Sequence, residues 1–285
     1  MSQPVAVVTG ASAGVGLAAA RALLERGWRV IATGRNPARC AAAEAQLAAH
    51  AQPGQLSFLR ADLAVLADAR RLAGEIAGLT GKVHLLANNA GGMADHFATT
   101  SEGLEENIAG NFLGAWVLTE ALLPLLRAAA KDAPPGTVRI VNTSSDGSEF
   151  IPGINLDDLQ NLAEWNPGTA YCTGKLANVL HARGLAGRLA GDGIVAHSFH
   201  PGTVDSNFFS HVPESTKAYT DGLAKITMDE GADTLVWLAT SEEAGQTSGG
   251  YWHVRAPRVP NPVVDDPAVV ERFEAETRKL VASVA

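Results

Sequence analysis

The feature that most restricts the fold of this chain lies near its start, where Val5-Ala6-Val7-Val8 runs into Thr9-Gly10-Ala11-Ser12-Ala13-Gly14-Val15-Gly16 and then into Leu17-Ala18-Ala19-Ala20-Arg21-Ala22-Leu23-Leu24. A β-branched apolar run, a glycine turn and a string of helix formers follow one another in the order that a dinucleotide site requires. Gly10 allows the tight turn, Gly14 lets the backbone approach a pyrophosphate, and Gly16 lets the helix pack on the strand. Amide groups and the positive helix end are then aimed at phosphate. The spacing is G-x-x-x-G-x-G, a departure from G-x-G-x-x-G, so the expectation of nucleotide binding leans on the flanking strand and helix as much as on the glycines.

Further apolar runs that suit buried parallel strands recur at 29–33, 56–59, 83–87, 138–142, 194–199 and 250–254, with alanine- and leucine-rich stretches between most of them. That alternation predicts an α/β fold, a doubly wound parallel sheet of Rossmann type in a three-layer αβα sandwich. A chain of 285 residues with 46% hydrophobic residues can bury one substantial core, and no linker divides it, so residues 1–285 read as a single domain. Residues 146–167 and 207–227 break the alternation just after strands whose carboxyl ends would face the ligand crevice. Both are expected to be substrate loops. Residues 257–267 carry four prolines and read as an extended arm, favoured as a surface tail over a partial lid, leading into a final helix over 268–284.

A net charge of −8 argues against nucleic acid or an anionic membrane as partner. Met1-Ser2-Gln3-Pro4 runs straight into the first strand without a basic region or long apolar stretch. Neither secretion nor membrane insertion is expected, and the cytoplasm is the default compartment. Cys40 and Cys172 are too few for a disulfide framework or metal cluster, and Cys172 reads as a packing residue. The eight histidines show no ligand spacing, and His181 and His200 read as structural. No metal is expected, and oligomeric state stays open, a homo-oligomer included.

Past the midpoint, Tyr171-Cys172-Thr173-Gly174-Lys175 places a phenol and an ammonium four residues apart in a segment that reads as helix. They project from one face, where the cation can favour phenolate. Bringing a tyrosine from about 10 to about 7 takes roughly 3 units, or about 4 kcal/mol. About twenty residues after the glycine turn an NAD site would place a carboxylate against the ribose. This chain has Thr33-Gly34-Arg35-Asn36 there, and Arg35 suits a 2′-phosphate. NADP(H) is therefore the expected preference, with use of NAD(H) left open.

With the glycine turn, Asn88-Asn89-Ala90-Gly91 and the Ser145/Tyr171/Lys175 set in this order, the chain resembles the short-chain dehydrogenase/reductase family over nearly its whole length. Residues 138–145, 170–180 and His200-Pro201-Gly202-Thr203-Val204 resemble its retinol-dehydrogenase-like branch. The resemblance implies the following roles. Ser12 and Val15 join the turn glycines at the cofactor. Asp62-Leu63 meets the adenine, Asp62 also reading as an N-cap before Ala64-Val65-Leu66. Asn89 touches the ribose within Asn89-Ala90-Gly91, while Asn88 braces the interior. Pro201-Gly202-Thr203 borders the nicotinamide. Asn111, in preference to Asn107, holds a water that links Lys175 to solvent. Ser145, in preference to Ser144, hydrogen-bonds the developing alkoxide, Tyr171 is the acid/base, and Lys175 lowers its pKa and fixes the ribose. An insertion over 149–167 lengthens the interval from Ser145 to Tyr171, as in the retinol-dehydrogenase-like branch. Gly174, where that branch has Ser, is expected off the catalytic face.

These roles imply an NAD(P)-dependent oxidoreductase acting on a carbonyl or alcohol. Phe150, Ile151, Phe208 and Phe209 suggest an apolar pocket for it. A catalytically silent NADP(H) binder of the same fold is the first rival, and the intact Asn111/Ser145/Tyr171/Lys175 set counts against it. A sugar-nucleotide epimerase or dehydratase is the second. It would carry a larger carboxyl-terminal domain and another glycine spacing.

Overall fold

The structure is a computed structural model that describes residues 3–206, 208 and 212–284. In chain order its elements are β1 (Val5–Val8), α1 (Gly14–Glu25), β2 (Arg29–Gly34), α2 (Pro37–Ala48), β3 (Leu56–Arg60), α3 (Leu66–Leu79), β4 (Leu85–Asn88), α4 (Glu106–Ile108), α5 (Gly114–Ala130), β5 (Val138–Thr143), α6 (Pro167–Leu189), β6 (Ile194–Phe199), α7 (Glu214–Asp221), α8 (Met228–Thr240), β7 (Tyr251–His253), β8 (Ala256–Pro257) and α9 (Pro267–Ala282). The strands form one sheet in the order β3-β2-β1-β4-β5-β6-β7-β8, parallel except for the antiparallel edge pair β7–β8. The two-residue β8 is too short to leave a periodic trace in the sequence.

Side chains alternate across the sheet and sort the core into two layers. Val5, Val7, Ile31, Leu86, Ile140 and Ala196 face α3, α5, α6 and α9. Ala6, Val8, Val30, Ala32, Leu85 and Ala87 face α1, α2 and α8. The predicted three-layer αβα sandwich follows. Helical residues Glu106–Ala130 are long and apolar enough to cross a membrane by composition alone, yet 67% of their apolar window is buried inside the protein. That apolarity is spent on the core.

The carboxyl-terminal segment corrects an expectation. The arm and helix are not a surface tail: Phe273 of α9 is fully buried, its ring 5.2 Å from that of Phe112, and Val281 is buried too. A buried arginine was equally illegible. Arg139 on β5 has no carboxylate partner among the described residues and donates instead to the carbonyls of Gly136 (2.8 Å), Leu238 (2.6 Å) and Ser241 (2.6 Å). It thereby satisfies the open carboxyl end of α8, while burial pushes its guanidinium down to about 10.

Close packing at one glycine yields a test. A Cβ on Gly114, which opens α5, would collide with the Leu63 carbonyl, whereas Gly74 on the exposed face of α3 has nothing within 4 Å. Gly114→Ala should therefore lower stability by about 1–3 kcal/mol, while Gly74→Ala raises it by about 0.5–1 kcal/mol. Urea midpoints measure both, and equal shifts would contradict the packing at α5.

Candidate active site

Strand order reverses between β1 and β4, so the crevice opens at their carboxyl ends. Gly10 there adopts φ +67°, and a Cβ on it would lie 2.8 Å from Ala90 Cα. Thr9 ties the two chains together: its hydroxyl accepts from the Asn89 and Ala90 amides, both at 2.9 Å, and donates to the Ala87 carbonyl at 3.2 Å. Gly16 packs the turn on itself, since a Cβ would sit 2.5 Å from Asn89 Nδ2. Gly14, at φ +58°, meets only Ser206 among the described residues. Helix α1 opens on Ala13 without a side-chain cap and without an acidic residue in its first turn. The amides of Gly14, Val15 and Gly16 therefore point outward as donors without a capping side chain, and a phosphate fits there.

At the adenosine end, Gly34 leaves no room for a side chain between Cys40 Sγ and Ser12 Cβ, which fixes Ser12 beside Arg35. The exposed Arg35 guanidinium lies 3.5 Å from Asp62 Oδ2, at the edge of a polar cleft of about 490 Å³ also lined by Arg60 and Arg71. Asp62 closes a local turn, accepting from the Ala64 amide at 3.1 Å, and Leu63 beside it is buried. It is not the N-cap of α3. That helix begins at Leu66, and Glu102 from a distant loop accepts from the amides of Leu66 (2.6 Å) and Ala67 (2.9 Å).

Asn166 caps α6 by accepting from the Thr169 amide, with Pro167 in the first turn, which sets the register of Tyr171 and Lys175. Lys175 Nζ lies 5.6 Å from the Tyr171 ring centroid and donates to the Thr143 carbonyl at 3.4 Å. Ser145 Oγ comes beside the Tyr171 ring, a Cβ on Gly147 lying 3.5 Å from the one and 3.4 Å from Tyr171 Cε1; it accepts from the Gly147 amide at 3.2 Å and donates to Asp146 Oδ1 at 3.0 Å. Ser144, by contrast, is buried and donates to the Lys175 carbonyl at 2.8 Å. Of the two serines, Ser145 is the one brought to the phenol. Burial pushes the Tyr171 phenol up, partly offset by the neighbouring Ser145 hydroxyl, and pushes the Lys175 ammonium down to about 8. The expected depression of Tyr171 by Lys175 is absent from this geometry: burial sets the direction of the phenol's shift, and the ammonium is aimed at the Thr143 carbonyl.

Asn111 sits in a π-helical turn, Ala109–Leu113, between α4 and α5. Its amide grips the loop after β4, donating to the carbonyls of Gly92 (2.7 Å) and Asn107 (2.8 Å) and accepting from the Gly92 amide at 3.1 Å. Gly91 must lack a side chain here, since a Cβ would lie 2.9 Å from Lys175 Nζ. Gly174 does not lie off the catalytic face: a Cβ on it would come within 3.1 Å of Asn111 Cβ. Asn178, which the sequence reading missed, donates to the carbonyls of Asn111 (3.0 Å) and Thr143 (3.4 Å). Its only trace in the sequence is a spacing of one helical turn from Lys175.

Both strand-end asparagines brace the scaffold. Asn88 donates to Thr119 Oγ1 (2.9 Å) and Asn142 Oδ1 (3.0 Å). Asn89, expected at the ribose, spends its side chain on the Thr9 carbonyl (3.0 Å) and the Thr143 hydroxyl (3.2 Å). His181 and His200 are buried, and burial pushes them down to about 3 and about 4, the neutral structural state expected of them.

After β6, Pro201 and Gly202 lead to Thr203, whose carbonyl accepts from the Ile226 amide at 2.9 Å. That contact joins the border of the crevice to the far end of the 207–227 stretch. Phe208 packs on the Tyr171 ring, centroids 5.6 Å apart. Phe150, 60% exposed, meets Tyr219 edge-on at 6.1 Å, and Ile151 packs on the core. Phe209 lies outside the described residues.

A family model described as short chain dehydrogenase matches residues 4–217. The chain is 33% identical to polyprenol dehydrogenase of Mus musculus over 284 residues, covering 98% of this chain and 84% of the relative. It is 34% identical to retinol dehydrogenase 11 of Mus musculus over 249 residues, covering 87% and 77%. Among solved structures it is similar to the Pseudomonas aeruginosa RhlG/NADP active-site complex, with a TM-score of 0.70, 27% identity, and coverage of 88% of this chain and 94% of that one. With its glycine turn, Asn88-Asn89-Ala90-Gly91 segment and Tyr171/Lys175 helix in place, the chain belongs to the short-chain dehydrogenase/reductase family, in its retinol-dehydrogenase-like branch, and is a nicotinamide-dependent oxidoreductase.

Proposed function

We propose that this protein is an NADP(H)-preferring reductase or dehydrogenase that interconverts a carbonyl and its alcohol on a small, mainly apolar molecule. The observation that carries this reading is the convergence of Ser145 and Tyr171 beside Gly147, where a Cβ on the glycine would lie 3.4 Å from Tyr171 Cε1 and 3.5 Å from Ser145 Oγ, with Lys175 one helical turn away. Tyr171 O–H would donate to the substrate oxygen during reduction and take the proton back during oxidation. Ser145 would turn its hydroxyl to the same oxygen, stabilising the charge that develops there. Lys175, held between Thr143 and Gly91, would fix the nicotinamide ribose, and Asn111 would steady the loop that carries Gly91. The uncapped amides at Gly14–Gly16, with Ser12, Asp62-Leu63, Ala90 and Pro201-Gly202-Thr203, would hold the rest of the cofactor. Arg35 would take the 2′-phosphate. Once bound, the cofactor supplies or accepts the hydride. Phe208, Phe150 and Tyr219 support an apolar substrate, as do relatives named for retinol and polyprenol.

Three measurements check this reading. In titration calorimetry NADPH should bind about tenfold tighter than NADH, about 1.4 kcal/mol, and Arg35→Asp should reverse the order. Equal affinities would remove the assignment of Arg35. Tyr171→Phe keeps the ring and its packing, so NADPH affinity should hold while carbonyl turnover falls by roughly 10²-fold or more. Ser145→Ala should act in the same direction without adding to it, both residues serving one oxygen. Unchanged turnover in Tyr171→Phe would refute the mechanism.

The third measurement uses the buried ammonium. Lys175 titrates at about 8 in the folded protein against the ordinary 10.5, so between these values the unfolded chain binds more protons and folding stability rises with pH. Lys175→Met should therefore be more stable than wild type at pH 7, by up to about 3 kcal/mol, with the gap closing toward pH 10.5. A gap independent of pH would show that the lysine is not buried as a cation.

A further inference from the structure

The turn that carries Ser145 holds an ionisable group that the proposed chemistry does not use. Asp146 is half-buried, and its Oδ1 accepts from the Ser145 hydroxyl at 3.0 Å. Its carboxylate forms no ion pair among the described residues. Arg258, the nearby cation, is engaged with Glu149 at 2.6 Å, and His200, which accepts the Asp146 amide at 3.1 Å, is kept neutral by burial. Burial is the main cause that raises the Tyr171 phenol and its neighbour the Cys172 thiol, and the Asp146 carboxylate adds to both.

A carboxylate in this place works against a neutral ketone. It opposes the negative charge that develops on the substrate oxygen, and it engages the only proton that Ser145 has to give. Both effects reverse if the substrate brings its own cation. An ammonium beside the reacting carbon would satisfy the carboxylate, release the Ser145 hydroxyl toward the carbonyl oxygen, and lend positive charge to the alkoxide. The rest of such a molecule would lie against Phe208, Phe150 and Tyr219. We propose that Asp146 is a specificity subsite that receives a protonated amino group on the carbon next to the reacting carbonyl. The assignment rests on the carbonyl-reductase reading above and narrows its substrate class to α-amino ketones or aldehydes with an apolar remainder.

The test compares 1-aminopropan-2-one, butan-2-one and pyruvate, three small ketones that differ mainly in charge, with NADPH on wild type and Asp146→Asn. Wild-type kcat/KM should fall in that order, with about tenfold or more between the first two. Asp146→Asn should bring the amine and the neutral ketone within about threefold and raise turnover of butan-2-one, while NADPH affinity and the thermal midpoint stay as in wild type. An order that is the same in both proteins, or a wild type that does not favour the amine, overturns the subsite and leaves the reductase reading standing. Calorimetric binding of propan-2-amine to the NADP⁺ complex separates the two ideas. Binding that depends on Asp146 in a protein that reduces none of the ketones keeps the subsite and discards the reductase, whereas absence of both overturns both. If Asp146→Asn does not fold, Asp146→Ser carries the same comparison.

Discussion

The Thr9 hydroxyl and the bare Gly10 beside it hold the end of β1 against the end of β4, and the site depends on that contact. One oxygen accepts from the amides of Asn89 and Ala90 and donates to the Ala87 carbonyl, so the glycine turn and the Asn88–Gly91 segment move as one body. A side chain at Gly10 would separate them, and only glycine occupies φ +67° there without strain. From this junction the α1 amides are aimed outward, and Gly91 is delivered to within reach of Lys175 and Asn111.

Behind the reacting groups lies a buried polar scaffold. Asn88, Thr119 and Asn142 bond across β4, α5 and β5, Asn142 donates to the Asn178 carbonyl at 3.1 Å, and Asn178 reaches the π-turn carbonyl of Asn111. In a low-dielectric interior such a network holds its members in place, because breaking any bond leaves a desolvated amide unpaired. Lys175 therefore projects from a rigid wall. That rigidity helps keep its ammonium in a setting that lowers its pKa.

The front of the site is held from the other end of the chain. Tyr251 O–H lies 3.0 Å from the Ser145 carbonyl and 3.1 Å from Glu149 Oε1, Arg258 grips Glu149 with two hydrogen bonds of 2.6 and 2.9 Å, and Asn261 donates to the carbonyls of Ser148 and Ile151. The turn that leads β7 into β8 places Val254 at φ +48° and Arg255 at φ +58°. A left-handed β-branched residue costs about 1–2 kcal/mol. Arg255 offsets this through Asp233 and through its amide to Thr234 Oγ1 at 3.2 Å. The arm of the chain that reads as a loose tail is thus the strap that seats the Ser145 turn.

Local signals carried the layout. Seven of the strands, the glycine turn, and the Tyr171 and Lys175 spacing are written in periodicity and in residues whose conformational needs are their own, so the doubly wound sheet and the reacting helix can be read from the chain alone. What the sequence could not show are pairings between residues far apart in it. Glu102 capping α3, Arg139 closing α8, Gly174 against Asn111, Arg258 on Glu149 and Phe273 against Phe112 each depend on which surfaces the completed fold brings together. The protonation states belong to the same class. A tyrosine four residues from a lysine reads as an activated phenol on an isolated helix, but burial, a property of the whole tertiary structure, pushes Tyr171 up and Lys175 down. Sequence determined which groups stand on one helical face, because backbone geometry is local; tertiary structure decided their charge, because the cost of desolvating a charge depends on everything packed around it.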